Sequence, residues 1–163
     1  MKVNVSIDPG VKGCGLAIWF EKNLVHAEYT GALGGQAHPL FESIPGLVKA
    51  LEGVEIDTIV IEKPKVYNAA QQMGDQRDLI NLAITVGAAG YALADKAEVV
   101  LIVEPWEWKM QTPKAISNKR TKAALMPEEH AMVQLPSAAS LHHNVWDAIG
   151  IGLWRFDKNR GPV

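Results

Sequence analysis

The alternation of apolar and polar positions along the chain predicts five β-strands. The first run, KVNVSI at residues 2–7, stops at Asp-Pro-Gly, which is typical of a turn. Two more short apolar runs come next, and three short strands in a row predict an antiparallel meander. Two later runs are rich in β-branched residues and predict buried strands. The predicted strands cover residues 2–7, 14–20, 24–30, 57–62 and 98–103.

Helical spacing of apolar residues predicts helices between the later strands and after the last one. Residues 40–51 form the first helix, where Pro45 is expected to kink or delay the start. A long helix is expected from about residue 73 to 94, and its small residues at 87–90 allow close packing. Three more helices are predicted after the fifth strand, at residues 118–125, 127–134 and 143–156.

This order of elements predicts an α/β fold with a mixed sheet. The meander is followed by right-handed crossovers, which make the later strands parallel. With 163 residues, the chain is expected to form a single domain over residues 1–163. A chain of this size buries roughly 70% of the surface that its unfolded form exposes, so it needs no disulfide or structural metal to fold. It is too short for folds built from two large lobes, such as those of sugar kinases.

Composition and the N-terminal sequence exclude several classes of protein. One cysteine rules out an intramolecular disulfide framework and a Cys-rich zinc site. No apolar run is long enough to cross a bilayer, and the N-terminus lacks a secretory signal pattern, so we expect a cytoplasmic protein without a membrane partner. The glycines at 10, 13 and 15 do not form a dinucleotide-binding fingerprint and no Walker lysine follows, so no small-molecule cofactor is expected.

Three carboxylates occupy positions that favour a shared site. Asp8 ends the first predicted strand, Glu62 ends the fourth, and Asp147 lies in the otherwise almost uncharged last helix. Strand ends on one edge of an α/β sheet commonly converge on a ligand. Taken singly, each acid is better explained as an ordinary turn or cap residue. Taken together, and because an acid in an apolar helix needs a partner or a metal, the three favour a common site.

Converging carboxylates repel one another, and a divalent cation relieves that repulsion. Oxygen-only ligands suit Mg²⁺ or Mn²⁺ better than zinc. Two such ions about 3.5–4 Å apart can activate a water and stabilise the leaving oxygen of a phosphodiester. The acids therefore predict two-metal phosphodiester chemistry. The net charge of −2 argues against a surface covered in basic residues but leaves nucleic-acid binding open, because the distribution of charge matters more than its sum.

Five segments of the chain, in order, resemble the motifs of RuvC-like Holliday junction resolvases in the RNase H-like superfamily. They are SIDPGVKGCGLAIW, IVIEKP, NAAQQMGDQRDLINLAITVGA, PWEWK followed by SNKRTKAAL, and HHNVWDAIGIGLW. The resemblance spans nearly the whole chain and implies an RNase H-like mixed five-stranded sheet flanked by helices, with the β1-β2-β3 meander antiparallel and two strands parallel. The short chain, and Asn144 where the family has another residue, lean toward a phage-type member.

The resemblance implies a metal site with a fourth group beside the three carboxylates. Asp8, Glu62 and Asp147 correspond to the family's metal-binding acids, which hold two Mg²⁺ ions that Mn²⁺ can replace. The family places an Asp or His three residues before the last acid, and here that position is Asn144, with His143 just before it. Either residue could serve, and His143 is favoured as the stronger ligand or proton carrier.

Basic residues near the presumed site are candidates for contacts with DNA phosphates. The family has such lysines in its basic segment, and a solvated helix face is the competing explanation for each residue here. The family has an aromatic residue shortly after its second acid that inserts at the junction, and Tyr67 occupies that place here. A half-buried tyrosine in a loop explains Tyr67 equally well. The DNA-binding candidates are Lys63, Lys65, Tyr67, Lys109, Lys114, Lys119 and Arg120.

Two tryptophans follow the fifth predicted strand and alternate around Glu107. Trp106 and Trp108 could form an aromatic platform. Packing of the corner between strand and helix is the favoured explanation for both.

The resemblance implies a crossover junction endodeoxyribonuclease. Such an enzyme resolves four-way DNA junctions by symmetric hydrolysis that leaves 5′-phosphate ends, and it acts as a homodimer because two symmetric cuts need two sites. The long helix at 73–94 is the expected dimer interface. Two alternatives stay open: an RNA-processing RNase H-like nuclease, and a non-catalytic junction-binding module whose only support is Asn144.

Overall fold

The computed structural model describes residues 2–35, 38–65 and 75–157. Its single five-stranded sheet has the order β3-β2-β1-β4-β5, with β1 antiparallel to β2, β2 antiparallel to β3, and both β1–β4 and β4–β5 parallel. This is the predicted mixed sheet. The strands are β1 (Val3–Asp8), β2 (Gly13–Phe20), β3 (Asn23–Gly31), β4 (Ile56–Glu62) and β5 (Ala97–Val103).

Six α-helices flank this sheet in the described residues. Short 3₁₀ turns at Pro39–Phe41, Ala94–Lys96 and Ala139–Leu141 join them to neighbouring elements. No helix in this part of the chain is both long and apolar enough to cross a membrane. The helices are α1 (Ser43–Ala50), α2 (Gln76–Leu93), α3 (Pro105–Lys109), α4 (Lys114–Ala124), α5 (Pro127–His130) and α6 (His142–Phe156).

Two predicted helices differ by four residues at one end from those observed, and the short helix α3 was not predicted. α5 ends at His130 instead of 134, because Val133 pairs with Ala27 of β3 and the Ala27 N–H donates to the Met132 carbonyl at 3.0 Å. α4 begins at Lys114, four residues earlier than predicted, because the Pro113 carbonyl accepts its first helical hydrogen bonds. Tertiary pairing therefore overrides helical spacing in the first case.

The hydrophobic core lies on both faces of the sheet. Alternate residues of β1 point to opposite sides, so Val5 and Ile7 pack against α1 and α2 while Ser6 faces α6. On the α6 side, Trp19 of β2 packs with Leu153. The two layers of helices leave the carboxyl ends of β1 and β4 at an edge of the sheet.

Close contact between α6 and the sheet fixes where that helix lies. A side chain at Gly15 would collide with the Asn144 carbonyl, and one at Gly152 would collide with the indole of Trp19. The buried Ser6 hydroxyl donates to the Ala148 carbonyl at 2.8 Å and accepts the Trp19 indole N–H at 2.9 Å. These contacts hold the start of α6 against the end of β1.

Candidate active site

Two parallel strands and one helix bring Asp8, Glu62 and Asp147 together, as the sequence predicts. Asp8 and Glu62 are the last residues of the adjacent strands β1 and β4. Asp147 lies in the second turn of α6, on the helix that packs across β1 and β2. The three acids are close enough for the charges of Asp147 and Glu62 both to act on Asp8.

The surroundings oppose ionisation of two of these acids. Withdrawal from water, followed by repulsion from Asp147 and Glu62, raises the pKa of Asp8 well above its ordinary value, and Lys114 and Lys109 offset only part of this. Withdrawal from water also raises the pKa of Glu62, against the opposing effect of Lys109. The site thus holds more negative charge than its own lysines neutralise.

Two of the three acids, Glu62 and Asp147, each lie beside a lysine. Lys109 Nζ lies 3.6 Å from Glu62 Oε2, and Lys114 Nζ lies 3.2 Å from Asp147 Oδ2. The other oxygen of Asp147, Oδ1, is buried and has no hydrogen-bond partner in the described residues. Because a buried carboxylate oxygen without a partner is costly, this atom favours a bound cation.

Trp108 orients Glu62, a role that the sequence analysis did not assign. Its buried indole N–H donates to Glu62 Oε2, and Lys109 Nζ lies 4.6 Å from the centre of its ring. Glu62, Trp108 and Lys109 are called the inner triad below. Pro105 is the feature of the sequence that could have indicated a helix just after β5, since α3 begins there. That α3 lies beside the end of β4 follows only from the pairing of Glu62 with Val103.

His143 and Asn144 lie in the first turn of α6, on the side of Asp147. Burial and the charge of Lys114 lower the pKa of His143, while Asp147 acts in the opposite direction. The backbone carbonyl of Asn144 packs against Gly15. Both residues stay candidates for the fourth group.

The predicted DNA-binding residues divide into three sets. Lys109 and Lys114 reach the carboxylates, whereas Lys119 and Arg120 lie exposed on α4. Lys63 forms an ion pair of 2.7 Å with Glu104 Oε1, and the charge of Lys65 also acts on Glu104. Tyr67 lies outside the described residues.

The three carboxylates suit a hard divalent cation by their chemistry. All their donor atoms are oxygen, two of the acids have raised pKa values, and Asp147 Oδ1 lacks a partner. Within the described ranges, no group of three or more His, Cys, Asp or Glu side chains is already arranged to hold an ion. Trp108 and Lys109 both contact Oε2 of Glu62, so these two contacts leave its other oxygen, Oε1, to face an ion.

Comparison with known proteins identifies the fold. No family model and no curated protein sequence matches this chain. Thermus thermophilus RuvC matches with a TM-score of 0.59 and 18% identity over 93% of this chain and 91% of that one. T. thermophilus RuvC in complex with a Holliday junction substrate matches with a TM-score of 0.54 and 19% identity over 94% and 91% of the two chains. The yeast mitochondrial Holliday junction resolvase Ydc2 has a TM-score of 0.47 and 9% identity over 98% and 85%. The chain has the RNase H-like fold of the RuvC type, as the motifs predict.

Proposed function

We propose that this chain is a metal-dependent, structure-selective endonuclease that resolves four-way DNA junctions, with residues 1–163 forming a single nuclease domain. The observation that carries the proposal is the Asp8 carboxyl, withdrawn from water and repelled by both Glu62 and Asp147 at the carboxyl end of a RuvC-type sheet. A repelled, oxygen-only cluster is chemically suited to Mg²⁺, which Mn²⁺ can replace. The similarity to T. thermophilus RuvC in complex with a Holliday junction substrate suggests that the substrate is a four-way DNA junction.

In this proposal, Asp8, Glu62 and Asp147 would hold two ions, with Asn144 or His143 as a further ligand. When bound, such ions make a water nucleophilic and stabilise the leaving oxygen, so that cleavage leaves a 5′-phosphate and a 3′-hydroxyl. Trp108 keeps Glu62 oriented toward the site.

His143 and the lysines contribute the protein's own chemistry. The lowered pKa of His143 keeps its imidazole neutral near pH 7, so the ring can accept a proton from the attacking water. Lys109 and Lys114 already lie beside the acids and can neutralise a phosphate that enters between them. The other proposed DNA contacts are Lys63, Lys65, Tyr67, Lys119 and Arg120.

Symmetric resolution of a junction also calls for a homodimer. What supports α2 as the interface is its outer face, where Ile80, Ile84 and Gly87 lie exposed and Tyr91 has 87% of its surface open to solvent. From residue 79 to 94 the chain carries no charged residue. A second copy that packs on this face would cover apolar surface and place two sites on one junction.

The test is cleavage of a labelled four-way junction in Mg²⁺ or Mn²⁺, beside a linear duplex, a fork and an RNA hairpin. We expect paired symmetric cuts in the junction that are lost in Asp8→Asn. Equal cutting of forks would reduce the proposal to a general branched-DNA nuclease, and cutting of the RNA alone would move it to RNA processing. Junction binding that survives Asp8→Asn without any cutting by the unmodified protein would overturn the catalytic proposal in favour of a binding module.

A further inference from the structure

A second Trp–Glu–Lys cluster lies beside the inner triad, one strand further out. Glu104 follows β5 and uses both of its carboxylate oxygens: Oε1 pairs with Lys63 Nζ at 2.7 Å, and Oε2 accepts the indole N–H of Trp106. We call Lys63, Glu104 and Trp106 the outer triad. Hydrogen bonds from Lys63 and Trp106 lower the pKa of Glu104, and the charges of Lys63 and Lys65 lower it further, so this acid is ionised and well paired.

Trp106 does not pack into the corner, contrary to the prediction made from its sequence. It keeps 53% of its surface open to solvent, whereas Trp108, two residues later on α3, keeps 1%. Its indole N–H nevertheless donates to Glu104. Reciprocal hydrogen bonds between Glu104 and Glu107 also cap the N-terminus of α3. The result is an exposed aromatic ring whose position is fixed before any partner arrives.

The outer triad lies at the same edge of the sheet as the carboxylates. Lys63 directly follows Glu62, and its backbone N–H donates to the Val103 carbonyl at 2.9 Å. A nucleic-acid strand whose phosphate reaches Glu62 would therefore continue past Lys63 and Trp106. At this rim the charges of Lys63 and Lys65 balance those of Glu104 and Glu107, and a lysine beside the strand's path is the kind of residue that contacts a phosphate backbone.

We propose that Trp106 stacks on an unpaired nucleobase next to the cleaved phosphate, with Glu104 as the positioning residue for its indole and Lys63 as a neighbouring phosphate contact. The inference rests on the proposed function and adds a recognition element to it. Every base has a π-face that can stack on an indole, but in a continuous duplex neighbouring bases cover that face. A ring at this position would thus favour DNA whose bases are opened at a branch point over linear duplex.

The test measures binding apart from cleavage, in an Asp8→Asn background with fluorescein-labelled junction and linear duplex at one fixed salt concentration. Trp106→Ala is expected to weaken junction binding by about fivefold to 150-fold, the range for losing one base stack. Trp106→Phe keeps a ring and should retain most of the affinity. Met126→Ala is the matched control. Met126 is similarly exposed, but it lies beside the start of β3, at the edge of the sheet opposite the carboxylates.

A second readout reports stacking directly. Junctions carrying 2-aminopurine at the branch point should lose fluorescence on binding the Asp8→Asn protein and its Trp106→Phe form, but not the Trp106→Ala form. Unchanged junction affinity and an unchanged 2-aminopurine signal in Trp106→Ala would overturn the inference. An equal loss of affinity for linear duplex would also overturn it, since the contact would then not require an unpaired base. Failure of the Asp8→Asn protein itself to bind any junction would instead count against the proposed function.

Discussion

The inner and outer triads contain the same three residue types in different surroundings. In the inner triad the side chains of Glu62 and Lys109 are 13% and 19% exposed, and their closest charged atoms are 3.6 Å apart. In the outer triad those of Glu104 and Lys63 are 35% and 46% exposed and 2.7 Å apart. Burial raises the pKa of Glu62, whereas well-formed hydrogen bonds lower the pKa of Glu104.

The difference shows that burial decides what a Trp–Glu–Lys cluster can do. Glu62 is withdrawn from water and repelled by Asp147, and its partners compensate for this only in part, so in the proposed function the inner triad would take a further cation. Glu104 is solvated and satisfied on both oxygens, so the outer triad serves to hold Trp106 in place. Three sets of variants test this contrast.

The largest effect is expected from exchanging each glutamate for its amide. Glu62→Gln removes a charge that the proposed ions require, and cleavage of a four-way junction should fall by more than about a hundredfold, the upper end for residues that only support a metal ligand. Glu104→Gln is the matched control and should leave the cleavage rate at saturating DNA nearly unchanged. The measurement is single-turnover cleavage in Mg²⁺, and equal losses in the two variants would remove the contrast between the triads.

An intermediate effect is expected from exchanging each tryptophan for phenylalanine. Trp108→Phe removes the N–H that orients Glu62, and by the usual cost of losing a residue that supports a ligand, activity should drop roughly 10–100-fold. A raised Mg²⁺ requirement should accompany the loss, which a merely structural role would not produce. Trp106→Phe should leave that requirement as it is. The readout is cleavage rate against Mg²⁺ concentration, and parallel curves for both variants would contradict the assignment of Trp108.

The smallest effect concerns stability without metal. The pKa values of Asp8 and Glu62 are raised in the folded protein. At pH values above their ordinary pKa values of 3.8 and 4.5, the folded protein therefore binds more protons than the unfolded chain. These two groups therefore make stability fall as pH rises through that window, up to their raised pKa values. Asp8→Asn removes one of them and the repulsion it feels, and should raise stability at neutral pH by about 1–3 kcal/mol.

Thermal melting in EDTA from about pH 4 to pH 8 checks this prediction. The Asp8→Asn protein should melt higher than the unmodified protein at the upper end, and the gap should narrow toward the acidic end. Added Mg²⁺ should stabilise the unmodified protein more than the variant, because only the former has the full set of carboxylates. A variant that melts lower in EDTA at pH 8 would show that Asp8 is not repelled there.

β2 and β4 were predictable because helices cover both faces of the sheet, so these strands are nearly continuous apolar runs. β5 was found as a strand, but the prediction that it is buried was wrong: it lies at the edge of the sheet, with Val99 and Ile102 exposed. The same logic identified Asp8 and Glu62, which lie where two apolar runs stop. Asp147 was found because it is the only charged residue between positions 143 and 154. Periodicity failed for residues 127–134, where pairing of Val133 with β3 ended the helix.

Trp106 and Trp108 show what a local pattern cannot resolve. Both follow β5 in a short helix, and nothing in PWEWK distinguishes them. One is buried against α6 and β4 while the other faces solvent, because their separation of two positions turns them to different sides of α3.

The strands and the positions of the three acids can be predicted from the amino-acid sequence, because apolar periodicity and the points where apolar runs stop are local properties. The contacts of Glu62 with Lys109 and Trp108, and of Glu104 with Lys63 and Trp106, follow instead from the packing of the folded chain. These contacts join residues from β4, α3 and the segments that follow the strands. They depend on the register of the parallel pair β4–β5 and on the close approach of α6 at Gly15 and Gly152, which no local pattern of residues specifies.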